Sequence, residues 1–139
     1  MPAHITVLYP FLHEECLTGE VVARLRELCA DVPVLAVQFR RTARFPGVLY
    51  LDPEPAGRLR ELTASIAQRW PDAPPYGGSF DEVIPHLTVA RTADDGVLND
   101  IESEVLRGLP VATRLREARL YVFDGERWRP RARLPFRAR

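Results

Sequence analysis

The sequence predicts an α+β fold: antiparallel sheets with helices outside and a central groove. Three observations carry that expectation. The tetrad His4-Ile5-Thr6-Val7 returns as His86-Leu87-Thr88-Val89, an offset of 82 residues (86 − 4). Each copy is followed by one amphipathic helical pattern and then by two extended segments, so a β-α-β-β order is written twice. Turn chemistry separates the extended segments, at Phe45-Pro46-Gly47 in the first half and at Asp124-Gly125-Glu126 in the second. Outside the tetrads the halves share little identity. The expected product is two antiparallel sheets, or one split and curved sheet, with both His-bearing strands beside the groove.

The first strand is expected from about Ala3 to Tyr9, stopped by Pro10. Successive strand side chains point to opposite faces, so His4 and Thr6 share one face while Ile5 and Val7 share the other. Tyr9 and Phe11 extend that apolar row. Thr18 then caps a helix whose Val21, Val22, Leu25, Leu28, Cys29 and Val32 form a stripe. Extended segments follow at about Val34 to Thr42 and Val48 to Leu51. A second helix begins near Asp52 to Pro55, carries Leu59, Leu62, Ile66 and Trp70 inward, and closes at Pro71. Residues Pro71 to Phe80, rich in Pro and Gly, read as an exposed loop.

The second half repeats the order. A strand from about Pro85 to Arg91 carries His86 and Thr88. Asp94 or Asp95 caps a third helix with Leu98, Ile101, Val105 and Leu109 on one side, and Gly108 with Pro110 marks its end. Strands at about Thr113 to Phe123 and Arg127 to Phe136 complete the chain. The organisation expected is one domain over residues 1–139, with units at about 3–51 and 85–136 and a linking helix at about 54–70.

Composition bounds the function. A chain of 139 residues can bury a sizeable core, and its 46% hydrophobic and 27% charged residues are those of an ordinary globular protein rather than a disordered one. Nineteen basic residues balance nineteen acidic ones, which removes the simplest argument for bulk nucleic-acid binding. All nineteen are Arg, a bias that a genome's composition explains as well as phosphate recognition does. No segment has the pattern of a signal peptide or a bilayer span, so the expected location is the cytoplasm, with no membrane partner. Cys16 and Cys29 are too few for a disulfide framework and lack metal spacing; both read as reduced.

The tetrads bring two imidazoles and two hydroxyls together on strand faces. In-line cleavage of a phosphodiester needs a base for the attacking oxygen and an acid for the departing one. Two histidines of ordinary pKa, ~6.5, can hold one neutral and one protonated state near neutral pH. Thr hydroxyls can donate to the non-bridging phosphate oxygens. A lone strand His is more often a structural residue; the second copy in the same register reverses that balance.

Two His-x-Thr-x tetrads half a chain apart, together with Leu8-Tyr9-Pro10-Phe11, Pro75-Tyr76-Gly77-Gly78 and Pro85 before His86, resemble the 2H phosphoesterases. That superfamily includes the 2′-5′ RNA ligase and 2′,3′-cyclic nucleotide phosphodiesterase proteins. The resemblance implies a two-lobed, pseudo-twofold fold with both tetrads lining the cleft. It implies His4 and His86 as catalytic residues and Thr6 and Thr88 as phosphate-binding residues. It further implies a metal-independent phosphodiesterase with no cofactor, acting on a 2′,3′-cyclic phosphate or a related phosphodiester of RNA ends or nucleotides. The family pattern makes His4 the proton donor to the leaving 2′ oxygen and His86 the acceptor from water, with the roles exchanged in the ligating direction.

Two further readings stay open: 2′-5′ RNA end ligation, and a non-catalytic nucleotide- or RNA-binding module using the same cleft. Metal ligation by the histidines is disfavoured, because neither tetrad brings a carboxylate or Cys in register. Tyr76 and Phe80 are candidates for stacking on a base at the cleft mouth, or equally for anchoring the loop. His13 in His13-Glu14-Glu15-Cys16 fits no zinc-protease spacing, and nothing marks Cys16 as an activated nucleophile. Arg91 falls on the apolar-side parity, so a phosphate contact would require a strand end or a bulge. Arg127, Arg129, Arg131 and Arg133 alternate with Trp128, Pro130, Ala132 and Leu134, as in a sheet with one wet face. The sequence does not select a substrate, and monomer is the default for assembly.

Overall fold

The computed structural model describes residues 2–78 and 83–138. Among them the chain forms β1 (Leu35–Phe45), β2 (Val48–Glu54), β3 (Leu87–Arg91), β4 (Val111–Leu115), β5 (Glu117–Phe123) and β6 (Trp128–Pro135). Three helices intervene: α1 (Gly19–Ala30), α2 (Gly57–Arg69) and α3 (Asp95–Leu106). The fold is α+β with antiparallel pairing throughout the named strands. A four-stranded sheet runs β3-β2-β1-β4, and β5 and β6 form a separate two-stranded sheet. The second tetrad's strand thus pairs with the hairpin that follows the first tetrad, which interleaves the two halves of the sequence.

Local chemistry sets the boundaries. Thr18 caps α1 by accepting the Val21 N–H at 3.3 Å, and Asp94 caps α3 by accepting the Val97 N–H at 3.2 Å. The β1–β2 turn needs Gly47, which sits at φ 71°; a Cβ there would lie 3.3 Å from the Thr92 carbonyl oxygen. β2 runs on to Glu54, so α2 starts at Gly57 rather than near Asp52 to Pro55. Buried Leu17, Val22, Leu25 and Cys29 meet Leu35, Val37 and Phe39 of β1 and Leu59, Leu62 and Ile66 of α2. Leu120, Leu134 and Phe136 bring the second sheet into the same core. Among the described residues no helix is long and apolar enough to cross a membrane.

Two expectations are corrected. The segment from Ala3 to Tyr9 is not a continuous strand: it makes one isolated antiparallel bridge, Ile5 to Leu87. Its Val7 carbonyl is instead taken by the Thr63 hydroxyl of α2 at 2.6 Å, so that group is satisfied without a ladder. The extended run expected from Thr113 to Phe123 is two strands in different sheets. It breaks at Arg116, whose carbonyl accepts the Phe136 N–H at 2.9 Å, and the chain passes there from β1's edge to β6.

Candidate active site

The site is built on the single bridge between the tetrads. Antiparallel pairing of Ile5 with Leu87 sets His4 across from Thr88 and Thr6 across from His86. Leu87 also pairs with Leu51 of β2, and Ile5, Leu87 and Leu51 all pack on the common core. Strand alternation turns the neighbouring positions, His4, Thr6, His86 and Thr88, to the opposite, open face. In a regular antiparallel pair, residues directly opposite have Cβ atoms about 4.5–5.5 Å apart and diagonal neighbours about 7–8 Å apart.

Both imidazoles are held in the same way. His4 Nδ1 lies 2.9 Å from the Pro2 carbonyl oxygen, and His86 Nδ1 lies 2.7 Å from that of Ile84. A carbonyl can only accept, so each Nδ1 carries the proton and donates it two residues back along the chain. Each Nε2 is left for chemistry, as an acceptor in the neutral ring and a donor in the charged one. His86 is further walled by aromatic rings: Phe45 lies 5.1 Å away at 87° and Tyr50 lies 5.4 Å away at 61°. Those two rings stack on each other at 4.4 Å. His86 is half-buried, while His4 is exposed.

The Thr6 and Thr88 hydroxyls are half-buried, and among the described residues neither takes part in a hydrogen bond. The tetrads' backbones are fixed from behind. Besides Val7, Thr63 shares its hydroxyl proton with Leu59 one turn earlier on α2, at 3.2 Å. Tyr50 pairs with Thr88 across β2 and β3. Burial and the Asp52 carboxylate push the Tyr50 phenol above its ordinary pKa, so it stays neutral at physiological pH.

A bulge supplies what alternation alone denied to Arg91. β2 pairs Leu49 with Ala90 but Tyr50 with Thr88, leaving Val89 as the extra residue. Arg91, paired with Val48, therefore comes onto the face that carries Thr88 and Tyr50. Tyr76 is half-buried with φ 52° and ψ 32°, a left-handed conformation uncommon for an aromatic residue. Its N–H donates to the Tyr9 carbonyl at 2.5 Å. Burial raises the Tyr76 phenol's pKa while the nearby Arg91 guanidinium opposes the rise, which puts Tyr76 within electrostatic reach of Arg91. Phe80, the other stacking candidate, lies outside the described residues.

Comparison with known proteins decides the family. The model of the 2′-5′ RNA ligase superfamily matches residues 1–127. The chain belongs to the 2′-5′ RNA ligase superfamily. Within it, similar proteins come from Oceanobacillus iheyensis (24% identical over 92% of this chain and 76% of the relative) and Bacillus licheniformis (28%, with the same coverages). A third, from Geobacillus kaustophilus, is 25% identical over 76% of this chain and 60% of its own length. All three carry the name "putative phosphoesterase". Superfamily membership and these names support a phosphoesterase of the 2H type.

The remaining sequence candidates lie on other segments of the chain. His13 is exposed at the start of a short 3₁₀ turn, Glu14–Cys16, and Cys16 is exposed on it. Of the Arg row, Arg129 pairs with Asp124, Arg133 pairs with Glu117 at 3.3 Å, and Arg131 donates to the Leu17 carbonyl at 3.5 Å. A recess of about 570 Å³ between β1, the end of β2 and β4 includes Gln38, Arg40, Glu54 and Arg114 but none of the tetrad residues. Sequence reading missed Thr63, Phe45 and Tyr50 as parts of the site. Thr63 on the inward stripe of α2, beside Leu59, Leu62 and Ile66, was the available signal: a polar residue at a core position needs an acceptor.

Proposed function

We propose that the protein is a metal-independent phosphodiesterase that opens a 2′,3′-cyclic phosphate, or a related phosphodiester of RNA ends or nucleotides, by paired-histidine catalysis. The observation that carries this reading is the shared anchoring of the two imidazoles. Each is tied through Nδ1 to a carbonyl two residues back, and the Ile5–Leu87 bridge sets each beside the other half's Thr. A phosphate seated between the tetrads receives the Thr6 and Thr88 hydroxyls and the Arg91 guanidinium on its non-bridging oxygens. Neutral His86 takes a proton from water at Nε2 as that water attacks phosphorus. The P–O bond to the departing ribose oxygen breaks on the far side, and His4 imidazolium supplies its proton. Net, one water is consumed and a phosphomonoester and a hydroxyl form.

With the 5′ hydroxyl of a second RNA end in place of water, the same ring opening is 2′-5′ RNA end ligation: the hydroxyl gives its proton to the base as its oxygen bonds phosphorus, and the P–O bond to the 3′ oxygen breaks as the acid protonates it. The superfamily name supports that reaction equally. The test is a panel of 2′,3′-cyclic mononucleotides and cyclic-phosphate-ended oligoribonucleotides, assayed with wild type, His4→Ala and His86→Ala, with and without EDTA. Turnover by wild type that survives EDTA and falls ~10²- to 10⁴-fold in each variant supports the proposal. Equal activity in all three proteins, or a strict divalent-ion requirement, overturns it.

A further inference from the structure

Beyond the first tetrad the chain continues to Tyr9 and Phe11. Tyr9, expected on the apolar row behind Ile5 and Val7, is instead 48% exposed. Phe11 alone turns back to the core, against Trp70 at 5.3 Å. Tyr9 meets Trp128 of β6 at 5.9 Å and 69°, and Trp128 meets Phe123 of β5 at 5.5 Å and 58°. Phe123 is 51% exposed and Trp128 39%, and these are the exposed aromatic side chains among the described residues. All three are gathered in one ridge, although they come from three separate parts of the sequence. Their tilted contacts leave ring faces uncovered, unlike Phe45 and Tyr50, which cover each other at 28°.

We propose that the Tyr9–Trp128–Phe123 ridge is a stacking platform for a nucleobase of a single-stranded oligoribonucleotide whose end phosphate lies between the tetrads. Position argues for this occupant. Tyr9 follows Thr6 by three residues, so its Cα lies at most about 11 Å from that of Thr6, the reach of a nucleotide or two along the strand. The Tyr9 carbonyl is pinned by the Tyr76 N–H, which fixes the ridge relative to the cleft mouth. Chemistry argues likewise: the ridge is made of three partly exposed aromatic rings, and every nucleobase has a face that such a ring can cover, so stacking tolerates any base.

This inference deepens the proposed activity and takes its ligand from it, so the experiment separates the two. A Trp70→Phe background leaves Trp128 as the only indole. Its fluorescence is titrated with a six-residue oligoadenylate ending in a plain 3′ hydroxyl, which needs no turnover. KM is then measured for a 2′,3′-cyclic mononucleotide and for a cyclic-phosphate-ended hexamer. Saturable quenching by the plain hexamer is expected. Trp128→Ala and Phe123→Ala should each raise KM for the hexamer roughly 5- to 100-fold while leaving kcat and KM for the mononucleotide within about twofold. Quenching without any cyclic-phosphate turnover would keep the platform and discard the proposed reaction. Absent quenching together with an unchanged hexamer KM in both folded variants, checked by circular dichroism, overturns the platform. So does a wild-type dimer in sedimentation that Phe123→Ala dissociates, since the ridge would then be a contact between copies.

Discussion

At the scale of single residues, the proposed mechanism divides the work between the histidines and threonines by what their hydrogen bonds leave over. With Nδ1 committed to a carbonyl, each imidazole has one nitrogen for the substrate, so His→Gln should fail as surely as His→Ala. Thr6→Val and Thr88→Val keep volume and remove the donor, and each should lower kcat by ~10²-fold with a modest change in KM, read by steady-state kinetics. The two cysteines provide an independent check on the core. Burial pushes the Cys29 thiol up to about 11, and the side chain is fully enclosed in α1, whereas Cys16 is exposed. Iodoacetamide at pH 8 should add one label to the native protein and a second only after denaturation, by intact mass.

At the scale of elements, each tetrad depends on a neighbour that holds its backbone. Thr63→Val strands the Val7 carbonyl that α2 now satisfies, and should cost about 1–3 kcal/mol in a denaturant titration while lowering kcat. Deleting Val89 removes the bulge but leaves Arg91 two residues after Thr88 and on the same face, so turnover should fall far less than in Arg91→Ala. α3 is tied to β1 where the Thr42 hydroxyl donates to Glu102 at 2.5 Å and Arg44 pairs with the same carboxylate at 3.1 Å. The Thr42 hydrogen bond is the main reason that carboxyl is held below its ordinary pKa, with Arg44 acting in the same direction. A depressed carboxylate stabilises the fold above its unfolded pKa, and the contribution is lost as pH falls through the lower folded value. Thermal melts from pH 6 to 3 should therefore drop more steeply for wild type than for Thr42→Val. The helices were legible because caps and stripes are local: Thr18 and Asp94 cap where their side chains demand. The first tetrad's lack of a ladder was not, since what replaces it is a hydroxyl 56 residues away on another element. Nor was Arg91's face, because a bulge is decided by the pairing of two strands and by neither sequence alone.

For the molecule as a whole, the repeat in the sequence announced two matching tetrads, while their bridging and the interleaving of the halves came only from the topology. β3 belongs to the second tetrad and yet pairs with β2, so neither half is completed without the other. Activity should follow a bell-shaped pH profile, since the proposed mechanism needs one imidazole charged and one neutral; a single ionisation step in kcat/KM would contradict it. The cross-pairing of His4 with Thr88 and of Thr6 with His86 has a consequence for direction. Exchanging the two walls leaves the same furniture in the same places, so the pocket contains no built-in arrow from reactant to product. What breaks the equivalence lies around the rim, where Phe45 and Tyr50 shelter one imidazole and solvent reaches the other. Whether water or a ribose hydroxyl is admitted at each doorway then sets which way the bond is made or broken.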